Sequence, residues 1–196
     1  MINECKLVGC SNFPASGFEA CNRTHGAILD KVRNTQGKIE FYGKQQPYYE
    51  LTNFYENKRN SNLKMIHYKG NNFKTSEHAF QFEKFNYGSQ QAQQVGLQIL
   101  SAQTPREAFD IAQKNAHLIR INWQEEKDSV MYEIVKSKFS QSSRHLRNVI
   151  LKTDNAILVE ASPLDSYWGY GVNGQGENKL GRILMRVREE MKLNLY

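Results

Sequence analysis

Cysteine is scarce and confined: the chain has three, Cys5, Cys10 and Cys21, in 196 residues. An odd, clustered count excludes a disulfide framework as the scaffold. Cys5, Cys10, Cys21 and His25 could form a Cys₃His zinc set, but the spacing is loose and the middle interval long, which favours free thiols. No run approaches the roughly 20 apolar residues of a membrane span. Met1–Gly9 lacks the apolar stretch of a secretory leader. The expectation is a soluble, cytoplasmic protein with no membrane contact. Internal repeats, low-complexity segments and Lys/Arg blocks of the nucleic-acid-arm type are all missing. So are a Walker loop and a Rossmann fingerprint, the usual phosphate-binding signatures.

What is present suits one compact domain. Hydrophobic residues make up 39% and charged residues 23%, so a core can form. Aromatic side chains, at 11%, offset a polar mean hydropathy of −0.68. The net charge of +6 favours anionic partners such as phosphates, nucleotides or nucleic acid without choosing among them.

Residues 1–36 hold every cysteine and no sustained periodicity, and read as an irregular extension with a short helix near Ala27–Val32. From Lys38 the pattern tightens. Lys38–Tyr42 alternates as a strand should, and Leu63–Tyr68 is a second strand candidate before the turn at 69–72. Helices follow. Thr75 or Ser76 caps one running to Phe85, and Ser89 caps one running to Leu100. Thr104, Pro105 and Glu107 give a strong start signal for a third. Asn122 and Glu125 open a fourth with Val130, Met131, Ile134, Lys138 and Phe139 on a mixed apolar face. A short helix covers 144–151, and Ala156–Glu160 reads as a buried strand. In the last helix, from about Asn178, Leu180, Ile183, Leu184, Val187 and Met191 share one face, with Arg182, Arg186 and Glu189 on the outer one. The expected fold is a mainly helical α+β single domain over 37–196 with a few short strands.

Four segments can carry chemistry. In Lys74–Phe85, Glu77 and Lys84 lie seven apart, about 20° from alignment on one helix face, with Gln81 between them. A carboxyl and an amine converging on a pocket make an acid/base and nucleophile pair. A solvated surface ion pair is the simpler reading of that spacing, but Phe80, Phe82 and Phe85 leave little of the helix for solvent. His78, about 100° away, fits a core role. The second segment, Ser162–Asn178, has four glycines within 169–176 between a strand and a helix start, which suits a phosphate nest or a plain glycine-rich turn. Its Asp165 could hold ribose hydroxyls or a cation, and Tyr167, Trp168 and Tyr170 offer flat faces. In the third, Arg120 could clamp a phosphate and Trp123 could stack, although a capped helix with a core Trp explains both. In the fourth, Tyr49–Tyr55, Asn53 could read a nucleobase edge.

In this order the segments resemble the YbiA/NADAR family. The resemblance rests on Leu51–Tyr55, on Thr75–His78 with Gln81 and Lys84-Phe85, and on Ile121–Trp123 with Met131 and Lys138-Phe139. It continues through Leu158–Gly169 to Asn178–Gly181 and Leu184-Met185, and so covers roughly residues 38–192. It implies hydrolysis of an N-glycosidic bond between ribose C1 and a nitrogen, with no metal and no cofactor. The implied substrates are a small-molecule ribosyl phosphate of riboflavin synthesis or ADP-ribose attached to guanine in nucleic acid. The implied catalytic residues are Glu77 as acid/base, Lys84 as the amine that traps the opened ribose, and Asp165. Implied substrate contacts are Asn53, Phe54, Ser76, Arg120, Trp123, Trp168, Gly169, Asn173 and Asn178. Lys114-Asn115 stands where the family often shows Gly-Arg, so Lys114 would replace a phosphate-binding Arg only as a point charge. The competing readings are a non-catalytic ADP-ribose or nucleotide binder and a nucleic-acid-binding protein with a zinc-bound N-terminus.

Overall fold

The computed structural model describes residues 37–56, 66–140 and 144–193. The N-terminal extension, with its candidate zinc set and the helix expected near Ala27–Val32, lies outside the described residues. Strand β1, Lys38–Phe41, pairs in parallel with β4, Ile157–Glu160, so that Phe41 lies opposite Glu160. Strands β2, Ile66–Tyr68, and β3, Asn71–Phe73, form a hairpin. Its two-residue turn has positive φ at both Lys69 and Gly70, the conformation that matches strand twist. Of the strand expected over Leu63–Tyr68, the part at 63–65 lies outside the described residues.

Six helices among the described residues make up the rest: α1 Ser76–Glu83, α2 Gln90–Ser101, α3 Pro105–Lys114, α4 Trp123–Ser140, α5 Arg144–Lys152 and α6 Lys179–Lys192. None is long and apolar enough to cross a membrane. The starts obey local chemistry. The side chains of Thr75, Ser89 and Thr104 accept from the amides of His78, Ala92 and Glu107. Glu107 does not close the reciprocal capping box; its carboxylate accepts from the amide of Gln103 instead, at 2.7 Å.

The short helix α1 lies against α2, α3 and α4, and α6 lies between α4, α5 and β4. One core runs through all of them, with Phe41, Phe85, Ile134, Phe139, Leu158, Leu180 and Leu184 wholly enclosed. Each such side chain contributes about 1.5–3 kcal/mol of apolar burial.

The last helix departs from its sequence pattern. Arg182 is exposed, but Arg186 and Glu189, expected on the outer face, are buried. The reason is pairing. The Arg186 guanidinium bonds Glu190 at 2.8 Å and lies 3.6 Å from the Tyr132 ring centre, and the Tyr132 hydroxyl donates to Glu190 at 2.7 Å. Arg188, fully buried, reaches Glu189, Thr153 and the Ala156 carbonyl. Charges paired and hydrogen-bonded in this way can lie inside at a tolerable desolvation cost.

Helix α6 approaches β4 too closely for a side chain at the crossing. A Cβ on Gly181 would overlap the Leu158 carbonyl and the Asn178 amide group. Gly181→Ala is therefore expected to destabilise the fold by about 2 kcal/mol or more, lowering Tm by about 4–8 °C. Arg182→Ala, next door and exposed, should leave Tm within about 2 °C. Thermal unfolding followed by circular dichroism checks both.

Candidate active site

Every residue of α1 is buried, including Ser76, Glu77, His78, Gln81 and Glu83. Its polar groups must therefore pair within the protein or face an internal space. His78 pairs: Nδ1 meets the Thr75 hydroxyl at 2.8 Å and Nε2 meets the Ala102 carbonyl at 3.2 Å. Burial lowers its pKa, so it stays neutral and acts as a core linker. Glu83 accepts from Lys69 at 3.0 Å. Both helix ends are anchored. The Glu77 amide donates to the Asn53 carbonyl, and at the far end the amide and Nε of Arg120 donate to the carbonyls of Lys84 and Glu83, all at 3.0 Å.

The remaining polar face opens on a cavity of about 780 Å³. Glu77, Phe80 and Gln81 line it from α1, Lys84 from the C-cap of that helix and Met131 from α4, together with Glu160 at the end of β4 and Asp165, Tyr167 and Trp168 in the loop that follows. Asn53 and Phe54 close another side. The Lys84 ammonium lies 5.4 Å from the Phe80 ring centre and 5.8 Å from that of Trp123. Gln81 donates to Glu77 at 2.6 Å. Asp165 Oδ1 accepts from the amides of Tyr167 and Trp168, which fixes the carboxylate and leaves Oδ2 for a ligand. Among the described residues, the enclosed side-chain atoms that lack a hydrogen-bond partner include Asn53 Oδ1, Gln81 Oε1 and Glu160 Oε2, as well as Ser76 Oγ and Arg188 Nη2. The first three belong to cavity-lining residues, and the other two do not.

Burial sets the electrostatics. It pushes the Glu77 pKa up; the Gln81 bond and Lys84 oppose the shift, and Asp165 adds to it. Burial likewise pushes Lys84 down, opposed by Glu77 and reinforced by Lys127. The same low-dielectric wall thus shifts the carboxyl and the amine in opposite directions, each toward its uncharged form. Glu160 is pushed up to about 8 by burial and then by Asp165 and Glu77, with Lys138 opposing. Lys138, buried and donating to the Thr52 carbonyl at 2.8 Å, is pushed down to about 7 by burial against the pull of Glu50 and Glu160.

Of the sequence-derived candidates, Glu77, Lys84, Asp165, Asn53, Phe54 and Trp168 meet at this cavity. Ser76, Arg120, Trp123, Gly169, Asn173 and Asn178 do not line it. Arg120 pairs with Glu126 and holds the C-terminal end of α1, and Trp123 packs at 4.8 Å against Phe80, behind the wall. Ser76 is enclosed, while Asn173 and Lys114 face solvent. Asn178, at φ 50° in the left-handed region that Asn tolerates, bonds the Glu160 amide at 3.0 Å and the Leu158 carbonyl at 2.9 Å.

The glycine-rich loop is not an open anion nest. Amides of Tyr170, Gly171, Gly174, Gly176, Glu177, Asn178, Lys179 and Leu180 all donate to carbonyls within the loop or β4. Its glycines serve close packing, since a Cβ on Gly176 would overlap the Gly169 carbonyl. Sequence reasoning gave no role to Glu160, to Lys44, or to Arg106, Phe109 and Gln113, which form the α3 side of the cavity. The available signal was a glutamate ending an apolar strand five residues before Asp165. The α3 residues resemble any amphipathic surface helix and carried no signal.

The chain matches known proteins over most of its length. The NADAR domain family matches residues 40–192. N-glycosidase Npun_R5314 of Nostoc punctiforme is 39% identical over 154 residues, covering 79% of this chain and 92% of that protein. N-glycosidase YbiA of Escherichia coli is 32% identical over 155 residues, covering 79% and 89%. The chloroplastic riboflavin biosynthesis protein PYRR of Zea mays is 41% identical over 122 residues, covering 60% of this chain but 19% of that longer protein. The NMR structure of E. coli YbiA superposes with a TM-score of 0.68 at 31% identity, covering 82% of this chain and 88% of that one. By the extent of that match and the shared fold, the chain belongs to the NADAR domain family and is a hydrolase acting on N-glycosyl bonds.

Proposed function

We propose that this N-glycosidase cleaves the C1–N bond of a phosphorylated ribosyl compound, with Glu77 as proton donor and Lys84 as nucleophile. One observation carries the reading: a buried helix and its C-cap bring a carboxyl and an amine to one cavity. Breaking the C1–N bond develops positive charge on the sugar and negative charge on the departing nitrogen. Glu77 gives its proton to that nitrogen. Lys84, once deprotonated, attacks C1 and divides the reaction into attachment and release. The Asp165 carboxylate, held by two amides, faces the cationic sugar. Lys44 and Arg106 put positive charge on the cavity wall, where a substrate phosphate would enter.

Two substrates offer this chemistry: ADP-ribose on guanine in nucleic acid, and a phosphoribosylaminopyrimidine of riboflavin synthesis. Relatives named for N-glycosidase activity and for riboflavin biosynthesis support the common ribosyl core. A paired hydrolysis assay separates the two. Release of ADP-ribose from a modified guanine oligonucleotide alone would make nucleic acid the substrate, and base release from the pyrimidine alone would make it the metabolite. Tight ADP-ribose binding without turnover in either tube would replace the enzyme reading with a binding module.

Glu77→Gln keeps shape and hydrogen bonding but cannot transfer a proton, so kcat/KM should fall about 10²–10⁴-fold. Lys84→Met should abolish turnover and any borohydride-trapped adduct, with the circular dichroism spectrum unchanged. Full activity in either variant would refute the assignment. The wild-type kcat/KM should be bell-shaped in pH. Neutral Lys84 is lost as pH falls through its lowered pKa, and protonated Glu77 is lost as pH rises through its raised one. In Glu77→Gln the alkaline limb of the residual rate should disappear.

A further inference from the structure

A lysine adduct at C1 creates a second proton demand, at the ring oxygen rather than at the departing nitrogen. Glu77 protonates the departing nitrogen and, as a carboxylate, takes back the proton that Lys84 Nζ sheds on forming its bond to C1. The product is a ring-closed glycosylamine. Hydrolysis through a Schiff base then requires the bond between C1 and the ring oxygen to break, and that oxygen leaves as a hydroxyl. A proton must therefore reach the ring oxygen, a different atom from the one that Glu77 protonates.

Glu160 is built for that position. Its backbone is pinned from several directions: the amide by Asn178 Oδ1 at 3.0 Å, the carbonyl by the Tyr170 amide at 2.9 Å, and the Cα by parallel pairing with Phe41. The side chain lines the same cavity as Glu77 and Lys84, and among the described residues its enclosed Oε2 meets no donor. The charged groups acting on it are Asp165 from the following loop and Glu77 from α1, which repel a second negative charge, and Lys138 from α4, itself pushed down to about 7 and donating to Thr52. A carboxyl with an undonated oxygen between two other carboxyl groups is favoured in its protonated form.

Building on the Glu77/Lys84 reading, we propose that Glu160 is a second proton-donating residue, which protonates the ribose ring oxygen as the lysine adduct opens to a Schiff base. The balance closes within the site. The nitrogen lone pair forms the C1=N bond, the bond from C1 to the ring oxygen breaks, and that oxygen takes the Glu160 proton. The Glu160 carboxylate next removes a proton from the water that adds to C1. Collapse of the carbinolamine transfers its hydroxyl proton to nitrogen, leaving an aldehyde and neutral Lys84. No oxidant or reductant takes part.

The test is Glu160→Gln, which preserves shape and removes the transferable proton. Cleavage of the C1–N bond precedes the Glu160 step, so kcat should fall about 10²-fold with KM falling in parallel and kcat/KM for base release near wild type. Rapid quench should show a burst of about one base per enzyme. Borohydride, which reduces only the opened imine, should label the variant far more slowly than wild type, as read by intact-protein mass. Glu160→Asp, which retains an acid, should recover part of kcat, and it gives the same comparison if the Gln variant folds poorly. Unchanged kcat and labelling in Glu160→Gln would overturn the proposal, as would an equal loss of kcat and kcat/KM. Wild-type turnover without any borohydride adduct would instead overturn the lysine route itself, a separate failure.

Discussion

Everything in this site follows from the complete enclosure of α1. An eight-residue helix with no solvent face must find an internal answer for each polar side chain. His78 and Glu83 find theirs in Thr75, Ala102 and Lys69. Glu77 and Gln81 turn to each other and to the cavity. The enclosure that makes this arrangement demanding also shifts the pKa values of Glu77 and Lys84 in opposite directions, so the packing problem and the chemical solution have one cause. Arg120 and the Asn53 carbonyl matter because they fix the two ends of that helix, and with them the place of the amine and the carboxyl.

The opposite wall is fixed by a different device. Asn178 joins the end of β4 to the start of α6, and the loop between them closes on itself through its own amides. Asp165 emerges from this closed loop with one oxygen already bonded, and Glu160 emerges from the strand it follows. The α1 segment thus brings Glu77 and Lys84 to the cavity, and β4 with its loop brings Glu160 and Asp165. Such preorganisation costs nothing further at the moment of reaction.

Much of this was legible in the sequence. Caps at Thr75, Ser89 and Thr104, the apolar spacing of α6 and the shared face of Glu77, Gln81 and Lys84 are local signals, and the structure follows them. Illegible features depend on what lies across from a residue. Arg186 and Glu189 fit a solvent face by spacing, yet are buried; Arg186 meets Glu190 and Tyr132, and Glu189 meets Arg188. Glycines at 169–176 fit an anion nest or a plain turn equally by sequence, and most of the loop's amides are bonded internally. Arg120 and Trp123 stand beside the site rather than in it, a distinction of one layer of packing that no spacing rule encodes.

Helix α3 contributes to the cavity in another way. Arg106 projects from it with 71% of its side chain exposed, bound to Asp110 one turn along and resting near Phe109. Neither α1 nor the β4–α6 clamp takes a hydrogen bond from this face. Substitutions there can reshape the mouth of the cavity while the acid and amine stay in place. Relatives could therefore diverge in the group they accept beyond the ribose while inheriting the same bond-breaking machinery, with adaptation at the rim and constraint at the floor acting on separate parts of one small domain.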